Sequence, residues 1–122
     1  MTKENSVDSV QGWFEGRLPE GWFSGVEVAF DGDQVVVVGK LTDKLPDESA
    51  SAEKKAGWAA GRISRFRGAT RRERIWIARE AEAKFERPVT WGASLGDARE
   101  TFNPGRLRTE QSSEQKAQPT QF

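Results

Sequence analysis

The strongest constraint on what this chain can fold into is the run of four valines at positions 35–38, closed by Gly39. β-Branched residues fit a pleated surface, and four in succession imply a strand buried on both faces. Just upstream, Val26, Val28 and Phe30 alternate with Glu27 and Ala29, which is the period of a half-buried strand. Asp31-Gly32 lies between them and supplies a hairpin turn. The pattern predicts strands at about 22–30 and 34–41.

A five-residue phrase repeats before this hairpin, as Gly12-Trp13-Phe14-Glu15-Gly16 and again as Gly21-Trp22-Phe23-Ser24-Gly25. Leu18-Pro19-Glu20-Gly21 has Pro and Gly where a type I turn wants them, so the two phrases read as a short hairpin paired through its aromatics. After the valines, Lys44-Leu45-Pro46-Asp47 ends the sheet region, and Asp47, Ser49 or Ser51 can cap a helix.

From about 50 to 87 the chain is Ala, Glu, Arg and Lys with spaced Ile, Phe and Trp. A stripe of Ala52, Ala56, Ala59, Ile63 and Phe66 continues in phase through Ile77, Ala81 and Phe85. Two readings compete at the middle. Thr70 and Glu73 match a capping box behind Gly68, which favours two helices. The unbroken stripe favours one long or kinked helix, because a turn would normally reset the phase. The phase of the stripe predicts the single long or kinked helix, which at about 1.5 Å per residue would run ~55 Å and project from a small domain.

Pro88 stops the helix, and Val89-Thr90-Trp91-Gly92 reads as a strand returning to the sheet. The expected fold is therefore α+β: an antiparallel sheet of three or four strands from about 12–41 and 88–93, packed on one long or kinked helix. Ile63, Phe66, Ile77, Ala81 and Phe85 would pack on Val26, Val28, Val35 and Val37. Residues 1–10 read as a flexible N-terminus, 11–102 as a single domain, and 103–122, rich in Gln and Ser, as a disordered tail.

Histidine, cysteine and tyrosine are all absent. That removes the usual general base at neutral pH, the soft metal ligands and the thiol nucleophile, so no catalytic residue, metal site or cofactor is expected and the chain does not read as an enzyme. Gly32, Gly39 and Lys40 have the ingredients of a phosphate loop, but six residues separate the glycines and Leu41 stands where a hydroxyl is needed. No apolar run approaches a membrane span, and the N-terminus lacks the apolar core of a signal peptide, which predicts a cytoplasmic protein without membrane contact.

The signs of charge are segregated although Lys+Arg and Asp+Glu both total 19. Residues 1–50 carry four basic and ten acidic groups, whereas 62–87 carry nine and four. Arg62, Arg65, Arg67, Arg71, Arg72 and Arg74 are opposed only by Glu73 within their span. Trp58 and Trp76 stand eighteen residues apart, five helical turns, away from the apolar stripe and beside Arg62, Arg65, Arg72 and Arg79.

A surface mixing tryptophan with arginine binds a partner, protein or nucleic acid. The candidate binding residues are thus Trp58, Arg62, Arg65, Arg67, Arg71, Arg72, Trp76 and Arg79. The leading expectation is a small adaptor or subunit that binds a protein partner or self-associates as an oligomer through the projecting helix, with Gly57 and Gly61 allowing close approach. The alternative is an auxiliary nucleic-acid-binding protein whose ridge from Arg62 to Arg74 contacts phosphates. Three blander readings compete: pairing with the acidic N-terminal half, tryptophans packed under the hairpin, or an oligomer seam. A helix-turn-helix does not fit, because the second-helix core position falls on Arg74.

The stretch from Gly61 through Phe85, with Arg71-Arg72-Glu73-Arg74-Ile75-Trp76-Ile77 at its centre and Val89-Thr90-Trp91-Gly92-Ala93 at its close, resembles a segment of small uncharacterised actinobacterial proteins. The resemblance covers roughly residues 61–93 and implies a bacterial cytoplasmic origin. It brings no activity or site residues with it.

Overall fold

A computed structural model describes residues 6–102. The elements run α1 (Val7–Arg17), β1 (Phe23–Asp31), β2 (Gln34–Leu41), α2 (Ala52–Ala69), α3 (Arg71–Phe85), β3 (Val89–Leu95) and β4 (Ala98–Phe102). The four strands form one sheet in sequential order. The α+β class and the β1–β2 hairpin, turning at Gly32 with φ 62°, are as the sequence predicts.

Three expectations need correction. The first copy of the aromatic phrase is helical, so no hairpin spans 12–25. Ser6 caps α1 by accepting from the Ser9 amide, and Val10 and Phe14, one turn apart, are fully buried. Helix therefore begins inside the segment expected to be flexible, whose first five residues lie outside the described ones, as does the segment 103–122. Trp13 and Trp22 still serve similar ends, each meeting a phenylalanine edge-on.

Secondly, the sheet is mixed. β2 and β3 pair in parallel, Val35 opposite Val89 and Gly39 opposite Ala93, while the outer pairs are antiparallel. The helical connection carries the chain back to the end of the sheet from which β2 started, as parallel neighbours require.

The third correction concerns the helix, which is two. Thr70 ends α2 and begins α3 with φ −107° and ψ 7°. Its hydroxyl donates to the Phe66 carbonyl at 2.7 Å, the back-bonding that bends helices, and so makes no capping bond. Only one residue leaves helical geometry, so the stripe keeps its phase across the break. Ile63 and Ile77 are both 0% exposed, and no helix of the projected length exists among the described residues.

The core unites all three helices with one face of the sheet. Ile63, Ile77, Ala81 and Phe85 pack with Val28, Val35 and Val37, as expected, joined by Val10, Phe14, Trp91 and Leu95. Phe66 and Val26 are partly buried at its margin. Ala52 and Ala56 are exposed, so the stripe becomes core only from Ala59 onward. The free edge of β1 is occupied by a side chain: the Gln11 amide donates to the Val26 carbonyl at 2.7 Å and accepts from the Val28 amide at 3.2 Å, as a neighbouring strand would.

Candidate functional site

The eight candidate residues separate into three groups. Arg62 donates to Asp43 at 2.6 Å and lies over the Trp58 ring, whose indole N–H donates to the Lys44 carbonyl at 3.0 Å. These contacts tie the segment after β2 to α2, so Arg62 and Trp58 are spent within the molecule. Pairing with the acidic N-terminal half is thereby met for Arg62. Gly57 and Gly61 face open space, and neither brings another element close.

Arg65 and Arg72 form the second group: both are exposed and ion-paired to no described carboxylate. The third group surrounds a cavity of about 760 Å³ between the α2–α3 junction and the β3–β4 side of the sheet. Arg67, Arg71, Arg74 and Arg79 line it, against a single acidic residue, Glu82, and an apolar wall that includes Ile75, Trp91 and Phe102. Arg79 connects this cavity to Trp76, over whose ring its guanidinium sits at 5.8 Å. Trp76 is 56% exposed and Ile75 43%, so Trp76 stays out of the core as the stripe predicts.

Arg74, the last arginine of the ridge expected from sequence, is 7% exposed. It occupies the core-phase position of α3, one turn before Ala78 and three residues before Ile77. Its Nε donates to the Thr70 hydroxyl at 2.9 Å and its Nη2 to the Arg67 carbonyl at 2.6 Å, while the guanidinium lies 4.9 Å from the Phe102 ring centroid. Arg67 shares the same ring at 5.2 Å. Among the described residues no carboxylate pairs with Arg74. Burial, and then the positive charges of Arg67 and Arg71, push its pKa down to about 10, so it remains a cation at neutral pH.

A buried charge is normally paired with its opposite or bound to a ligand. Arg74 has neutral acceptors on two of its three nitrogens and like charges as its nearest ionic neighbours, an arrangement that attracts anions. No group of three or more His, Cys, Asp or Glu among the described residues could hold a metal ion, and no helix among them is long and apolar enough to cross a membrane.

Fold and site together define an α+β domain with an arginine-walled recess. The chain belongs to the family described as the Rv1265-like protein, N-terminal domain, whose model matches residues 8–101. It is 45% identical over 91 residues to the uncharacterized protein Rv1265 of Mycobacterium tuberculosis and, equally, to the uncharacterized protein Mb1296 of Mycobacterium bovis. Each match covers 74% of this chain and 38% of the relative, so the chain spans well under half the length of these relatives. The resemblance to uncharacterised actinobacterial proteins thus extends far beyond residues 61–93. No solved structure matches the chain.

Proposed function

We propose that this domain is a nucleic-acid-binding module rather than an enzyme, contacting phosphates through Arg67, Arg71, Arg72 and Arg79 with Trp76 as a stacking platform. The observation that carries the reading is the gathering of Arg67, Arg71 and Arg79 around one cavity whose single acidic lining residue is Glu82, with the exposed Arg72 beside them. Such a wall holds positive potential that the balanced total charge conceals, and it tracks a phosphate backbone by charge without reading sequence. Trp76 beside Arg79 supports the reading, because exposed aromatics flanked by cations hold unpaired bases by stacking. The ridge expected from sequence is narrower here: Arg62 is neutralised by Asp43.

The test is fluorescence anisotropy with mixed-sequence single-stranded DNA and RNA at about 50 and 200 mM salt. Binding at the lower concentration that weakens steeply at the higher supports the module, and no binding at about 50 mM ends it.

A second reading, a protein partner or homo-oligomer, rests on the adjacent exposure of Ile75 and Trp76 on α3. It loses the projecting helix and Trp58 as arguments. Light scattering at high micromolar concentration, with Trp76→Ala as control, tests it: a monomer that retains no partner excludes this reading.

A further inference from the structure

The proposed module contacts phosphates at its surface, yet Arg74 is too deep for that task. A phosphodiester carries a sugar on each side, and a strand passing over the domain meets the exposed Arg71, Arg72 and Arg79 before it can reach a side chain that is 7% exposed. An anion that reaches Arg74 has to project into the recess on a single tether. A phosphomonoester does so: it presents three oxygens at its tip and carries ≈ −1.5 to −2 charge near neutral pH.

The recess is built for such a group. Arg74 is held in place on two sides, Nε by the Thr70 hydroxyl and Nη2 by the Arg67 carbonyl, with Phe102 beneath it. Its Nη1 has no acceptor among the described residues, so one edge of a fixed, planar donor is left for a ligand. Arg67 and Arg71 line the same cavity and lie close enough to Arg74 to depress its basicity, so three positive charges converge there; the one acidic lining residue, Glu82, forms no ion pair with them and accepts instead from the Val89 amide at 3.2 Å. The cavity, about 760 Å³, has room for the nucleoside attached to such a phosphate, and Ile75, Trp91 and Phe102 offer it apolar surface.

We infer that the recess between the α2–α3 junction and β4 is a phosphomonoester site, with Arg74 at its base and Arg67 and Arg71 at its mouth. The monoester has two sources, the 5′ end of a nucleic-acid strand or a free mononucleotide. The inference rests on the proposed function only for the first of these.

The experiment compares one ten-nucleotide single strand carrying a 5′-phosphate with the same strand ending in a 5′-hydroxyl, and a nucleoside 5′-monophosphate with its nucleoside. Each is titrated against the full chain and its Arg74→Met and Arg71→Gln variants, with circular dichroism to confirm folding. The 5′-phosphate should tighten strand binding at least tenfold. Arg74→Met should erase that difference while leaving the hydroxyl strand bound, and Arg71→Gln, at an exposed position, should reduce it several-fold. If both strands bind alike and the mononucleotide does not bind, the inference is overturned and the nucleic-acid reading stands. If neither strand binds but the mononucleotide binds the native chain and not Arg74→Met, the recess is confirmed and the nucleic-acid reading falls.

Discussion

Replacing Arg74 by methionine separates an arginine kept for a ligand from one kept for the fold. Burial and the charges of Arg67 and Arg71 hold its pKa at about 10. At about 1.4 kcal/mol per pH unit, that depression corresponds to a cost on the order of 3 kcal/mol for keeping the charge inside. Against it stand hydrogen bonds of 2.6 Å to the Arg67 carbonyl and 2.9 Å to the Thr70 hydroxyl. Each contributes roughly 1.5 kcal/mol net, and stacking on Phe102 adds about 1 kcal/mol.

Methionine keeps the apolar stem and fills irregular space, and the Arg67 carbonyl left behind is on a residue exposed to water. The two sides cancel to within about 1 kcal/mol, which for a domain this size is a thermal midpoint change of no more than about 8 °C. Urea unfolding followed by tryptophan fluorescence measures the difference directly. A loss above about 3 kcal/mol would identify Arg74 as a structural strut and refute the reasoning.

The two exposed tryptophans should behave in opposite ways. Trp58→Ala, which removes the bond to Lys44 and the contact with Arg62, should cost roughly 1–2 kcal/mol of stability by denaturant unfolding without changing strand affinity. Trp76→Ala should leave unfolding unchanged and weaken single-strand binding by about 1–3 kcal/mol, the worth of one stacked base. Glu86 ends α3 in the left-handed region at φ 59°; Glu86→Gly should raise stability by about 0.5–1 kcal/mol in the same assay, since glycine adopts that conformation without a Cβ penalty. Two hydrogen bonds from Arg17 hold the Glu80 carboxyl below the usual carboxylate range. Its contribution is therefore complete above the unfolded-state value near 4.3 and disappears as pH falls through the lower folded value, so Glu80→Gln should flatten the acid limb of stability against pH.

Periodicity carried most of the fold into view. Alternation at Val26, Val28 and Phe30, and the phase shared by Ile63, Ile77, Ala81 and Phe85, identified core faces that the structure keeps. What local pattern could not carry was direction and context. The parallel sense of β3 depends on the path of the helical connection, which no residue of β3 encodes. Gly12 to Gly16 reads as a strand by its aromatic pair, yet such a pair also suits a helix packed edge-on against Phe85 and Trp91. At Thr70 the motif was present, but its hydroxyl was already committed to Phe66.

The site divides in the same way. Charge density pointed to Arg67, Arg71 and Arg79, whereas the pairing of Arg62 with Asp43 crosses nineteen positions and is invisible locally. Arg74 was legible in principle, since the phase that made it an obstacle to a helix-turn-helix also placed it inward. Its partners, the Arg67 carbonyl and the Phe102 ring, were not, because they are set by the helix break and by β4.

The most direct test of the phosphate-binding account is the slope of log affinity against log salt for a single-stranded oligonucleotide, measured for the native chain, Arg62→Ala and the double variant Arg67→Ala, Arg71→Ala. Each phosphate contact contributes about 0.7 to that slope. The account predicts that the double variant flattens the slope by about 1.4 while Arg62→Ala, already paired with Asp43, leaves it unchanged. Equal slopes in all three proteins, or a larger effect from Arg62, would contradict it.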